Sequence, residues 1–334
     1  MKVDAGLRPE LPLVPESVRE LEELGYDGVL TTETSHDPFF PLLLAAEHSD
    51  RVQLMTSIAV AFARNPMIVA SIAHDLNAYS GGRFVLGLGS QIKPHITKRF
   101  SMPWSKPAAR MREFVEALHA IWASWYQGEP LGFRGEFYTH TLMTPNFTPQ
   151  DLEHGPPPVI LAAVGPLMTK TAGEVADGMI AHRFTTERYM REVTLPALEQ
   201  ALASSGRRRE DFTLSYPAFI VSGADEEQFA ANKAAVTKHI AFYGSTPAYR
   251  PVLELHGWGE LQDELNAMSK RGLWDEMATR IGDEVLDAFA IVGEPDEVVP
   301  LLKIRFGGLV DRITADFDFV PKQRRAELIE QLRA

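Results

Sequence analysis

Chemistry in this chain is concentrated first in the loop Glu33-Thr34-Ser35-His36-Asp37-Pro38. It gathers two carboxylates, two hydroxyls and an imidazole in a few residues. His36 could hold or transfer a proton near neutral pH. Asp37 could orient that imidazole or act as a base itself. Asp37 also stands where the cap of a following helix belongs. His36 and Asp37 are therefore the expected catalytic residues. A second candidate is Gly87-Leu88-Gly89-Ser90, followed by Gln91, Lys93 and His95. Glycines at a strand end let a flat ring approach the backbone closely. Ile92 stands where a dinucleotide fingerprint would carry its third glycine, so that reading is weak. A third is AAVGPLMTK, residues 162–170. Small residues leading into a helix leave backbone N–H groups free for a phosphate. Thr56 and Ser57 add two hydroxyls to an otherwise apolar run; they serve either a bound molecule or neighbouring backbone.

Other chemistries lack their residues. No cysteine occurs, which removes disulfides and thiolate catalysis. The histidines are scattered, with no HExxH or HxxxH pair, so no metal site is expected. There is no nucleophile elbow and no Walker A loop. The net charge of −12 disfavours nucleic acid and anionic membranes as partners. No apolar run is long enough to span a bilayer. Met1-Lys2 leads into VDAGL and Arg8-Pro9 with no signal-like apolar stretch, so a cytoplasmic protein is expected.

The elements that must position these residues follow a rhythm. Strands are predicted over residues 2–7, 27–33, 52–60, 84–90, 158–164, 178–184, 213–221 and 310–317. Helices fall between them. The strand runs are apolar at nearly every position, as in a parallel sheet buried on both faces. Asn65-Pro66 and Gly165-Pro166 open helices; Gly25 stops one. Residues 127–157 break the rhythm with glycines and prolines, and 133–138 reads as a hairpin strand. Residues 244–288 read as helical, with no strand. Eight βα units point to a (β/α)8 TIM barrel with a helical insertion before the last strand, as one domain over 1–334. A doubly wound open sheet is the alternative. Either architecture places ligands at the C-terminal ends of the strands.

Taken together the motifs resemble the bacterial-luciferase-like superfamily. The resemblance spans nearly the whole chain: GYDGVLTTETSHDPF, TSIAVAFARNP, SGGRFVLGLGS, AAVGPLMTKTAGEVADG and FAIVGEPDEV. Within it, DPFFPL, GSQIKPHI, RMREFVEAL and LMTPNF are most similar to the actinobacterial branch that uses the deazaflavin F420. The resemblance implies a barrel with a flavin or deazaflavin at its C-terminal mouth. It implies a cis peptide at Ser57–Ile58 against the cofactor ring. It places Gly89, Ser90 and Gln91 beside the ring, and Gly165, Pro166, Leu167 and Met168 around the phosphate. Related sugar-phosphate dehydrogenases carry an Asp-His pair after strand two, in the opposite order to His36-Asp37. They also carry a Glu where this chain has Ile92, which disfavours a sugar phosphate.

The expected activity is hydride transfer between F420 and a small organic molecule, with a homodimer as the assembly. An FMN-dependent monooxygenase is the alternative enzyme, and a non-catalytic cofactor-binding protein the alternative outside catalysis. F420 differs from FMN in an anionic lactyl-oligoglutamate tail, which an acidic protein repels unless basic residues gather locally. Arg64, Lys93, Lys98 and Arg99 are the expected group.

Overall fold

The computed structural model of the protein describes Met1–Ala334. Eight strands form the barrel: β1 (Lys2–Gly6), β2 (Gly28–Thr31), β3 (Gln53–Thr56), β4 (Phe84–Gly89), β5 (Val159–Ala163), β6 (Gly178–Ala181), β7 (Thr213–Pro217) and β8 (Arg312–Thr314). All neighbours are parallel. Thr31 sits opposite Thr56 across β2 and β3, and Leu54 opposite Phe84 across β3 and β4. Arg312 faces both Lys2 of β1 and Ser215 of β7, which closes the ring. The expected (β/α)8 barrel is present and the open sheet is not. Every residue of β4 is buried, because helices cover the outside of the strand and side chains fill the inside.

Local chemistry sets the helix starts. Asn65 accepts from the Met67 N–H at the head of the helix Pro66–Tyr79, with Pro66 at its first position. Asp225 caps the helix Glu226–Gly244 in the same way. The main core of 63 buried residues lies between the strands and the surrounding helices. In segment 127–157, Phe133–Arg134 pairs antiparallel with Thr139–His140. The Glu113 carboxylate accepts from the N–H groups of Glu136, Phe137 and Tyr138 at that hairpin's turn. No helix is long and apolar enough to cross a membrane.

Residues 244–288 hold the helices Arg250–Leu255, Gly259–Lys270, Trp274–Met277 and Asp283–Phe289, as the sequence suggests. The expected seventh strand, however, divides. Pro217 has no N–H with which to continue the ladder. Phe219–Val221 leaves the barrel and pairs in parallel with Ala290–Val292. This outlying pair and the insertion share a second core, which includes Phe184, Phe219, Ile240 and Phe289.

The barrel lumen is filled in layers. Leu30, Met55, Val85, Ile160 and Ile180, from five successive strands, form an apolar layer, with Ile58 and Ala162 packed on it. Below it lies a polar layer. Arg312 donates through Nε to Asp4 at 2.8 Å, through Nη2 to the same carboxylate, and through Nη1 to Gln53. Both members of the Asp4–Arg312 pair are buried. Burial raises the Asp4 carboxyl above its ordinary value, and Arg312 opposes that shift. A Cβ at Gly28 would lie 2.6 Å from both Arg312 Nη2 and Asp4 Oδ1, so any larger residue there would push against the buried pair. Removing one partner of a buried pair leaves an uncompensated charge. Arg312→Met is therefore expected to lower unfolding free energy by ~3–5 kcal/mol, and Asp4→Leu/Arg312→Met to recover much of that loss. Denaturant midpoints measure both; equal midpoints for Arg312→Met and wild type would refute the role of the pair.

Candidate active site

A cavity of about 570 Å³ opens at the C-terminal ends of the strands. Its floor is the top of the lumen packing, and Ile58 is central to it. The Ser57–Ile58 peptide bond is cis, as the resemblance implies. Ile58 lies over Gly89, where an added Cβ would come within 2.7 Å of Ile58 Cδ1. Gly89, Ser90 and Gln91 all line the cavity, and Lys93 lines it too. Gln91 has a left-handed backbone (φ 56°), and its side-chain oxygen accepts from the Ile92 N–H. The Thr56 hydroxyl of strand three serves the fold. Thr56 Oγ1 donates to the Gly87 carbonyl at 2.7 Å and accepts from the Gly87 N–H at 2.9 Å, tying β3 to β4. Ser57 supports the floor through its backbone, which donates to Thr31 at 2.7 Å; its side chain does not line the cavity.

The neighbouring strand, β5, leads into the head of the helix Pro166–Val175 at the cavity. Gly165 is its N-cap, in extended conformation, and Pro166 has no N–H to offer. The first turn leaves the Leu167 and Met168 N–H groups without helical partners. A Cβ built on Gly165 meets nothing within 4 Å, so open space adjoins the positive end of the helix. Gly165 and Met168 line the cavity, whereas Pro166 and Leu167 face outward, Leu167 being 74% exposed.

The loop after β2, which holds His36 and Asp37, is tied down from strand three's end. Arg64 clasps it, with Nη1 at 2.5 Å from Glu33 and Nη2 at 3.1 Å from Asp37. Glu33 also accepts from the Val60 N–H at 2.7 Å. Asp37 accepts from the Phe39 N–H at 2.9 Å and so caps the next helix. His36 is exposed and stands outside the cavity. Arg64 is committed to these two carboxylates. Arg99 donates to the Thr34 carbonyl at 2.5 Å and rests on the Phe100 ring at 4.8 Å. Of the basic residues expected at the mouth, Lys93 is the one that lines it.

Three wall residues escaped the sequence: Trp104, His182 and Tyr249. His182 follows directly after β6, at a strand end, and that position was its available signal. Tyr249 comes from the insertion, and no local spacing connects it to His182. The two rings stack at 4.7 Å, and Tyr243 closes edge-on from the other side at 4.8 Å. His182 Nδ1 accepts from the Phe184 N–H at 3.0 Å, and Nε2 lies 3.2 Å from the Tyr249 hydroxyl. Burial, aided by Arg183, pushes the His182 pKa down to about 4. Burial likewise pushes the Tyr249 phenol up to about 12. At neutral pH both are uncharged.

Fold and site describe a parallel (β/α)8 barrel with a cavity at the C-terminal ends of its strands, onto which a helix N-terminus opens. Residues 4–311 match the luciferase-like monooxygenase family, and the chain belongs to it. It is accordingly an oxidoreductase. It is 54% identical over 317 residues to an uncharacterized protein of Mycobacterium tuberculosis, covering 95% of this chain and 93% of that one. It is 32% identical over 215 residues to an F420-dependent glucose-6-phosphate dehydrogenase of Intrasporangium calvum, covering 60% and 62% of the two chains. Among solved structures it is similar to the coenzyme F420-dependent tetrahydromethanopterin reductase of Methanopyrus kandleri. That match has a TM-score of 0.79 at 21% identity, with 99% and 97% of the two chains covered.

The burial of His182 has a consequence for stability. The unfolded chain takes up a proton on this residue below about pH 6.5, and the folded chain refuses it until about pH 4. Stability therefore falls as pH drops through that window and the His182 contribution levels off below it. The loss should approach ~3 kcal/mol at its acid end. Measured from pH 7 to pH 4, the unfolding free energy of wild type should fall by about that amount more than that of His182→Gln. Parallel curves would refute it.

Proposed function

We propose that this protein is an F420-dependent oxidoreductase that moves a hydride between the deazaflavin and an organic substrate in the barrel mouth. The carrying observation is the open space at Gly165, beside unpaired N–H groups and on the same cavity as the Ile58 floor. A flat ring and a phosphate need those two features at once. The similarity to an F420-dependent dehydrogenase supports the choice of cofactor. When bound, the deazaflavin supplies the hydride chemistry. The chain's own residues do the rest. Ile58 and Gly89 offer a smooth apolar floor, and the Leu167 and Met168 N–H groups hold the phosphate. Lys93, with Lys98 close by in sequence, faces the anionic tail. Ile92, at the position of the Glu found in sugar-phosphate dehydrogenases, leaves no carboxylate for that chemistry.

Titration of the purified protein with F420 and with FMN tests this reading. F420 should bind more tightly, and its affinity should fall with salt, since exposed charge pairs are screened over about 10 Å at 0.1 M. In Gly165→Asp the new side chain is a good helix cap, so the fold should be unaffected. Its carboxylate would occupy the phosphate space, and F420 affinity should drop at least ~10-fold, about 1.4 kcal/mol. Tighter binding of FMN, or oxygen consumption during turnover, would instead favour the monooxygenase.

The assembly we propose is a homodimer. The helices Phe39–Glu47 and Pro66–Tyr79 present Phe40, Leu43, Ile68 and Tyr79 to solvent on one side of the barrel, with Phe40 62% exposed. Contiguous apolar surface of this kind marks an interface. Light scattering after gel filtration should give about twice 37.2 kDa. Phe40→Glu/Ile68→Glu should return a monomer; a monomeric wild type would exclude the pairing.

A further inference from the structure

The cavity wall at Tyr249 carries a hydrogen-bond donor with a fixed direction. Two hydrogen bonds determine it. The Phe184 N–H points at His182 Nδ1 at 3.0 Å, so that nitrogen must present its lone pair. The proton of the neutral imidazole therefore sits on Nε2, which donates to the Tyr249 oxygen at 3.2 Å. With its oxygen accepting from His182, Tyr249 keeps its own O–H proton for another partner. No other protein group bonds that hydroxyl, and Tyr249 lines the cavity. The rings hold the arrangement: Tyr249 stacks on His182 and packs edge-on against Tyr243.

The walls also restrict what that hydroxyl can meet. Lys93 is the one charged side chain on the cavity, because burial keeps His182 neutral. No arginine and no carboxylate lines it. Trp104, Ile92, Met168 and Ala248 give much of it an apolar surface. Beyond Lys93 and the Gly165 helix head, which the proposed function gives to the cofactor, a charged substrate body would lose its hydration with little compensation.

We propose that Tyr249, set by His182 as a positioning residue, donates a hydrogen bond to the oxygen of an uncharged carbonyl or hydroxyl compound with an apolar body. This inference rests on the cavity being the active site of an oxidoreductase, and its test is read without turnover. The probe is 4-(dimethylamino)benzaldehyde, whose absorption band moves to the red when its carbonyl accepts a hydrogen bond. Full-length protein, alone and with F420, is titrated with it. Wild type should bind it saturably with a red-shifted band. Tyr249→Phe keeps the stacking ring and should bind the dye but lose the shift. In competition on the F420-loaded protein, where the cofactor occupies the helix head and faces Lys93, benzaldehyde should displace the dye at least ~10-fold better than 4-formylbenzoate, since the latter must bury a carboxylate. A shift that survives in Tyr249→Phe, equal competition by 4-formylbenzoate, or no saturable dye binding to wild type would each overturn the proposal. F420 binding in the same samples is scored separately. Intact F420 binding with any of those results would sink the inference alone, whereas absent F420 binding would sink the cofactor assignment.

Discussion

The lumen of the barrel can be filled only by side chains from alternate strand positions, and the level to which they fill it decides where a ligand can sit. Here the filling begins with a buried ion pair, Asp4 and Arg312, which Gly28 accommodates by having no side chain. An apolar layer from β2 to β6 rests above it. Ile58 tops that layer and lies on Gly89. The cavity is what remains between this floor and the loops. Its apolar base is thus a product of lumen packing, and the ion pair beneath has no contact with the ligand space.

The polar groups around the cavity divide by the same logic of partnership. Buried or half-buried polar atoms take whatever partner the fold brings nearest. Thr56 is consumed by Gly87, Glu33 by Arg64 and Val60, and Asp37 by Arg64 and the Phe39 N–H. Among the groups that stay open are the helix head at Gly165 and the Tyr249 hydroxyl. One is suited to an anion and the other to a neutral oxygen, and both open on the same cavity, as a cofactor and a substrate sharing it would need.

The insertion before β8 also gains a role from this arrangement. It has its own core, assembled around Phe184 and Phe289, whose rings stack at 4.4 Å. That core ties the end of β6 to the helices of the insertion. Because Phe184 is two residues beyond His182, the packing that stabilises the insertion also orients the imidazole. Thr246, Ala248 and Tyr249 reach the cavity on the same foundation.

What the sequence by itself determined was periodic and local. Apolar runs separated by helical patterns specified eight strands and their order, since a strand buried on both faces needs apolar residues throughout. Gly89, Ser90, Gln91 and Gly165 were legible because strand ends and helix starts carry their own residue signatures. The split of the seventh strand was partly legible in Pro217. What only the tertiary structure decided was which polar groups find each other. His36 and Asp37 looked reactive as neighbours, yet Arg64, a distant residue, takes Asp37, and His36 is left in solvent. His182 and Tyr249 are 67 residues apart and meet because the insertion folds back over β6. Their contact depends on the packing of Phe184, Tyr243 and Phe289, and such packing leaves no mark in the spacing of either residue. Burial depth, which sets whether an imidazole is charged at neutral pH, is likewise a property of the assembled walls and not of the chain.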